Sequence, residues 1–167
     1  MDQDAFRDTY AAVNERRCPY EKAILTNNCG CALAKRFCIA EREGVRCATN
    51  AGQARCLEFL DLLRQQARFA LRTTDGGAAL PHAKAMRIQV GGLRGVRAAL
   101  EEPEVADANA PVEDVDGLLR AAVARFGGLA ALPFGQIILQ VAAYRGRPSF
   151  RERRRARKAR SDDDLPT

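Results

Sequence analysis

Apolar residues recur along most of this chain at the three- and four-residue spacing of an amphipathic helix, and no stretch shows the alternation of an exposed strand. In the longest such segment, Leu60, Leu63 and Ala67 form one stripe that we expect to be buried. The pattern predicts helices over about 2–16, 19–26, 31–43, 50–71, 81–100, 112–126 and 133–144. The fold class expected from it is all-α, a compact protein of six or seven helices.

Glycine residues mark the expected ends and crossings of these helices. Gly44 is placed to end the third helix and Gly127 the sixth, since glycine is the usual residue just after a helix. Within the fifth helix, Gly91 and Gly95 are four positions apart and therefore share one face. Small residues at that spacing indicate a close crossing with another helix.

Composition divides the chain into three segments. Residues 1–73 hold all six cysteines and are expected to form a Cys-rich, metal-binding helical lobe, followed by a second helical lobe over 74–145. Within that second lobe, residues 101–116 carry seven carboxylates, two prolines and no basic residue, which predicts a linker or surface loop. Residues 146–167 are expected to be a disordered tail, first basic and then acidic.

The positive charge of the chain is concentrated near its end. Residues 145–160 carry nine Lys or Arg side chains and one Glu, whereas the first 144 residues hold 18 basic and 17 acidic side chains. A basic tail binds phosphate backbones without reading their sequence, so nucleic acid is one candidate partner. The other interpretation is a solvated tail that aids solubility or docks an acidic protein.

Nothing in the sequence predicts a membrane span or a signal peptide. The longest apolar stretch, 129–143, is interrupted by Pro133, Gln136 and Gln140, and the first residues lack both a basic start and an apolar core. We therefore expect a cytoplasmic protein. In that reducing compartment, free thiols are expected rather than disulfides.

Few catalytic groups are visible in the sequence. The chain has no Walker loop, no dinucleotide fingerprint and no HExxH motif. Its one histidine, His82, follows Pro81 and is expected at the exposed start of a helix, and its two serines lie in the tail. The sequence therefore predicts no particular enzyme activity.

The six cysteines carry the candidate chemistry, because all of them fall within residues 18–56, less than a quarter of the chain. Cys29 and Cys31 are the closest pair, and Gly30 between them lets the backbone fold tightly enough for two sulfurs to face one centre. Cys18 precedes Pro19 at a predicted helix start, where the helix dipole favours a thiolate.

Thiolates are soft ligands that select zinc, copper(I) or iron–sulfur centres. Structural zinc sites usually use two close pairs of ligands, and this chain has only one close pair of cysteines. Iron–sulfur clusters accept more irregular runs of cysteines. The spacing therefore favours an iron–sulfur cluster, of the [4Fe–4S] type, with zinc as the alternative. Another role for the thiols and a protein without metal both stay open.

Six cysteines are more than one cuboidal cluster needs, since such a cluster takes four thiolates. Cys38 lies between Phe37 and Ile39 in a predicted helix and is expected to be a buried structural thiol rather than a ligand. The expected metal ligands are Cys18, Cys29, Cys31 and Cys47, with Cys56 close behind them.

The function expected from these observations is that of an iron–sulfur accessory protein. It would act in electron transfer, redox sensing or cofactor delivery to a larger protein partner, such as a redox protein, since no substrate-handling motif is visible. One alternative is a zinc-stapled interaction module whose basic tail binds nucleic acid. Another is a cluster-containing enzyme with a substrate pocket between its two halves.

Overall fold

The computed structural model describes residues 3–71, 81–101 and 110–146 of the chain. Seven α-helices and a hairpin of two antiparallel strands lie within these residues. The helices are α1 (Gln3–Val13), α2 (Glu21–Leu25), α3 (Asn50–Leu71), α4 (His82–Met86), α5 (Gly92–Leu100), α6 (Val115–Phe126) and α7 (Phe134–Ala143). The strands are β1 (Ala34–Ile39) and β2 (Arg42–Cys47).

The prediction of an all-α fold is wrong, because this hairpin replaces the helix expected over 31–43. Its register sets Ala34 opposite Cys47 and Ile39 opposite Arg42, and Ala40 adopts a φ of 53° in the turn. The segment is rich in Ala, Lys, Arg and Glu, which favour a helix locally. Packing overrides that preference, since the paired strands bury Val45 completely. The N-terminal part of the molecule is therefore mixed α and β.

The sequence predicted that Gly44 ends a helix, and this prediction is wrong. Gly44 lies within β2 opposite Phe37. A Cβ atom at Gly44 would come within 2.5 Å of the Phe37 ring and 2.9 Å of the Tyr10 ring. Those two rings pack with their centroids 5.8 Å apart. The missing side chain thus makes room for the aromatic pair that joins α1 to the hairpin.

The helices that the sequence predicts from a strong periodicity of apolar residues are otherwise confirmed. Helix α3 spans Asn50–Leu71, and Leu60, Leu63 and Ala67 on its predicted stripe are all buried. A π-helical segment, Arg87–Gly91, joins α4 to α5, so that the helix is continuous from His82 to Leu100. Gly127 ends α6 in the left-handed conformation with a φ of 86°.

The acidic segment 101–116 is only partly the linker that its composition predicted. Residues 102–109 lie outside the described residues, and residues 110–114 form a loop. This loop is not merely a surface feature, because Val112 is buried and pairs with Cys29 in an isolated parallel bridge. Helix α6 accordingly begins at Val115 rather than at Val112.

One cluster of buried side chains contains residues from the hairpin and from helices α2, α3, α5, α6 and α7. Phe59, Leu93, Leu119 and Ile137 are among its fully buried members. The π-helical segment adds a polar link to this packing, since Gln89 donates a hydrogen bond from its amide to the Pro19 carbonyl over 3.1 Å. That bond ties the middle of the chain to the loop before α2.

Helix α5 and the π-helical segment before it cross α7 closely, as the glycine spacing predicted. A Cβ atom at Gly91 would lie 2.7 Å from the Cα of Val141, and one at Gly95 would lie 2.7 Å from the Cα of Ile137. Both contacts are with backbone atoms, which cannot move aside as a flexible side chain can. The two glycines therefore set the separation of the helices.

None of the helices in the described parts of the chain combines the length and the apolar character that crossing a bilayer requires. The predicted basic tail lies outside the described residues from position 147 onward.

The helix crossing can be tested by substituting one glycine. Gly95→Ala should lower the free energy of unfolding by about 1–3 kcal/mol, because the added methyl group must push the α7 backbone away. The control is Gly135→Ala on α7, where a Cβ atom would meet nothing within 4 Å. Urea denaturation of both variants measures the effect, and equal stability of the two would contradict the close crossing.

Candidate metal centre

Four of the six cysteines line a single pocket beside the hairpin: Cys18, Cys31, Cys47 and Cys56. They come from the loop before α2, the loop before β1, the end of β2 and the first turns of α3. The cavity enclosed between them is small, with room for about one water molecule, and it is partly open to solvent. The remaining wall is formed by Pro19, Tyr20, Leu33, Ala34, Gly52, Val115 and Asp116.

Backbone hydrogen bonds bring Cys18 and Cys47 to the same side of the hairpin. The Cys18 N–H donates to the Val45 carbonyl over 3.0 Å, and the Cys47 N–H donates to the Arg16 carbonyl over 2.8 Å. Residues 16–18 therefore run antiparallel to β2, and Arg17 pairs with Arg46 in an isolated bridge. Because side chains alternate along a strand, the two cysteines turn inward while these arginines stay exposed.

The buried carboxylate of Glu21 fixes the loop that carries Cys18. It accepts hydrogen bonds from the Val45 N–H over 2.8 Å and from the Tyr10 hydroxyl, and it lies 3.4 Å from the Arg17 guanidinium. Burial first, and then this carboxylate, raise the pKa of Tyr10 to about 12. Tyr10 thus remains a neutral hydrogen-bond donor at physiological pH.

Cys31 is held in place by the loop before α6. The Gly30 N–H donates to the Val112 carbonyl over 2.8 Å, and the Val115 N–H donates to the Gly30 carbonyl over 3.0 Å. A Cβ atom at Gly30 would lie 2.5 Å from the Glu113 carbonyl oxygen. Only glycine therefore fits where these two loops pack against each other. The glycine between Cys29 and Cys31 therefore serves this long-range pairing as well as the local turn.

Helix α3 supplies Cys56 and, one turn earlier, Gly52. A Cβ atom at Gly52 would lie 3.3 Å from the Cys47 sulfur and 2.5 Å from a methyl carbon of Leu33. Because Gly52 has no side chain, the Cys47 sulfur can pack against the backbone of α3. Gly52 was not among the residues that the sequence singled out, because a single glycine within a helix gives no distinctive signal.

Cys29 and Cys38 lie outside the lining of the pocket. Cys29 is buried next to it, close enough that the charges of Cys18 and Cys31 act on its thiol. Cys38 is exposed on β1, so the prediction that it is a buried structural thiol is wrong. The apolar neighbours of Cys38 turn to the opposite face of the strand, which a helical interpretation could not foresee.

Burial disfavours the charged form of the thiols around the pocket. It raises the pKa of Cys18 and of Cys29 to about 12, and it raises the pKa of Cys31 and of Cys56 as well. Nearby thiolates add to the rise at Cys18, and the carboxylates of Asp114 and Asp116 add to it at Cys31, while backbone N–H donors to these two sulfurs oppose it. The thiols of Cys18, Cys31 and Cys56 are therefore protonated at pH 7, and a cation in the pocket would displace their protons.

Asp116 brings a carboxylate to the wall of the pocket. It is buried and forms ion pairs with Arg55 and with Arg120, the latter over 3.2 Å. Its neighbour in sequence, Asp114, accepts a hydrogen bond from the Ala32 N–H over 2.9 Å. Both carboxylates belong to the acidic run that the sequence analysis assigned to a linker, where nothing distinguished them from solvated charge.

His82 is exposed at the first residue of α4, as the sequence predicted, and is not part of the pocket lining. Among the residues that the structure describes, no group of three or more His, Cys, Asp or Glu side chains is arranged to hold a metal ion directly. The four thiols thus share a pocket but do not stand as ligands around a single ion.

Comparison with protein-family models, with curated proteins and with solved structures finds no match for this chain.

Thiol modification of the reduced, metal-free protein tests this arrangement. Cys38 should react first because it is exposed, whereas Cys18 and Cys29 should react slowly because they are buried and their pKa values lie at about 12. Their rates should rise without a plateau from about pH 7 to about pH 9, as only the thiolate reacts.

Labelling at several time points, followed by peptide mass spectrometry, assigns each rate to its cysteine. Cys38→Ser serves as the control, since it should remove the fast phase and leave the slow ones unchanged. A common rate for all six thiols in the folded protein would contradict the burial of the pocket cysteines.

Proposed function

We propose that this protein holds an iron–sulfur cluster on Cys18, Cys31, Cys47 and Cys56. In this proposal it acts as an accessory protein in electron transfer, redox sensing or cofactor delivery to a larger partner. The observation that carries the proposal is the meeting of four thiols, from four separate segments of chain, around one pocket. Four cysteine thiolates are the usual ligand set of a [4Fe–4S] cluster.

The spacing of the cysteines along the chain supports a cluster over a single zinc ion. Structural zinc sites usually take their ligands as two close pairs. Here only Cys29 and Cys31 form a close pair, and Cys29 does not line the pocket. Iron–sulfur clusters accept ligands from more irregular runs of cysteines, such as the four separate segments that meet here.

The wall of the pocket fits a group that bears negative charge. Leu33 and Val115 contribute apolar surface, which limits access of water. Backbone N–H groups of Tyr20, Leu33 and Asp116 donate to cysteine sulfurs and thereby stabilise their charged form. A cluster bound here would accept and release single electrons, and these donors would favour its reduced form.

The side chains that line the pocket support an accessory role rather than an enzyme activity. Asp116 is the one carboxylate in the pocket lining, and Arg55 and Arg120 hold it in ion pairs. The lining, as the structure describes it, contains no histidine, lysine or serine, which are among the side chains that most often act on a substrate.

The test is anaerobic reconstitution of the reduced full-length protein with ferrous iron and sulfide, and separately with zinc. Iron and sulfide should bind in equal amounts, and the visible absorption of a cluster should appear. Cluster binding should also release protons, since burial raises the pKa of Cys18, Cys31 and Cys56 and keeps these thiols protonated in the metal-free protein. A protein that takes up stoichiometric zinc and no iron would contradict the proposal and favour the zinc-stapled interaction module.

Single cysteine substitutions assign the ligands. Cys56→Ala should remove nearly all cluster binding, because a cuboidal cluster loses one of its four protein ligands. Cys38→Ala is the matched control and should retain the full iron content. Cys29→Ala distinguishes the pocket from its surroundings, since Cys29 is buried beside the four lining cysteines and does not line the pocket itself.

The expected result for Cys29→Ala is a cluster that forms but is less stable in air. Circular dichroism of each metal-free variant confirms that it is folded before its iron content is compared. Full iron content in a folded Cys56→Ala variant would show that the ligand set proposed here is wrong.

A further inference from the structure

Among the described residues, Tyr20 is the largest side chain that is fully buried, with 1% of its surface exposed. Its hydroxyl group has no hydrogen-bond partner among the residues that the structure describes. A buried hydroxyl without a partner destabilises a folded protein, so such groups are rare and call for an explanation. Phenylalanine would fill the same volume without that cost.

The surroundings of this hydroxyl point to a partner in the pocket. Tyr20 belongs to the pocket lining, and it follows Cys18 and Pro19 in the loop before α2. Cys18, Cys31, Cys47 and Cys56 line the same pocket. A buried hydroxyl in the wall of this pocket therefore has sulfur atoms among its neighbours in the lining.

The loop that carries Tyr20 is held firmly on both sides. The Glu21 carboxylate binds the Val45 N–H over 2.8 Å, and Gln89 donates to the Pro19 carbonyl over 3.1 Å. These two bonds restrict the backbone before and after Tyr20. The ring is thus positioned by its neighbours and not by its own hydroxyl, which leaves the O–H group available to the pocket.

We propose that the Tyr20 hydroxyl donates a hydrogen bond to a sulfur atom of the centre bound in this pocket. The inference rests on the proposed function, because it requires a thiolate-bound centre. An O–H donor beside a negatively charged sulfur stabilises the reduced, more negative state. Tyr20 is therefore a positioning residue that raises the reduction potential of the centre and strengthens its binding.

The test is Tyr20→Phe, which removes the oxygen and keeps the ring. In the metal-free protein the variant should melt at the same or a higher temperature than the wild type, since it loses an unpartnered hydroxyl. In the cluster-loaded protein it should melt at a lower temperature. Its reduction potential should shift to a more negative value, which a purely structural role for the ring would not produce.

The matched control is Tyr10→Phe, which removes a hydroxyl whose partner is Glu21 and not the pocket. That variant should lose melting temperature equally in the metal-free and cluster-loaded proteins and should keep the wild-type potential. The comparison separates the loss of a tyrosine hydroxyl in general from the loss of a donor to the centre.

The outcomes distinguish this inference from the proposed function. A Tyr20→Phe variant with unchanged potential and equal melting-temperature shifts with and without the cluster would overturn the inference alone. Should the wild type bind zinc and no iron, the proposed function is wrong, and a selective loss of stability in the zinc-loaded variant would still support the hydrogen bond. A wild type that binds neither iron nor zinc would overturn both.

Discussion

The pairing of backbone segments far apart in sequence underlies the whole pocket. Residues 16–18 join β2 through hydrogen bonds on either side of Arg17, which turns Cys18 and Cys47 inward together. Gly30 pairs with Val112 and Val115, which fixes Cys31 against the start of α6. Each pairing is set by backbone geometry, so the thiols meet because their loops are docked and not because of their spacing in sequence.

Helical periodicity in the sequence was sufficient to predict most of the C-terminal part of the fold. The stripe of α3 and the crossing at Gly91 and Gly95 follow from positions three and four residues apart. The hairpin could not be predicted in the same way, because its residues favour a helix locally. Its stability comes from the aromatic contact above Gly44 and from the burial of Val45, both of which are long-range.

The candidate site, like the fold, could be predicted from the sequence only in part. The clustering of the cysteines within residues 18–56 pointed to the segment that forms the pocket. The parts that come from elsewhere, such as Asp116, carry no local signal, because an acidic residue in an acidic run resembles solvated charge. The role proposed for Tyr20 rests on the absence of a hydrogen-bond partner for its hydroxyl group among the described residues, which only a three-dimensional structure shows.

The docking of Gly30 onto the loop before α6 has a consequence for how the protein is made. During synthesis, residues 18–56 leave the ribosome well before the residues near position 115 that support Cys31. The four cysteines therefore emerge without their complete surroundings. Under the function proposed above, the complete pocket for a metal centre forms only after α6 has emerged and docked against the loop that carries Cys31.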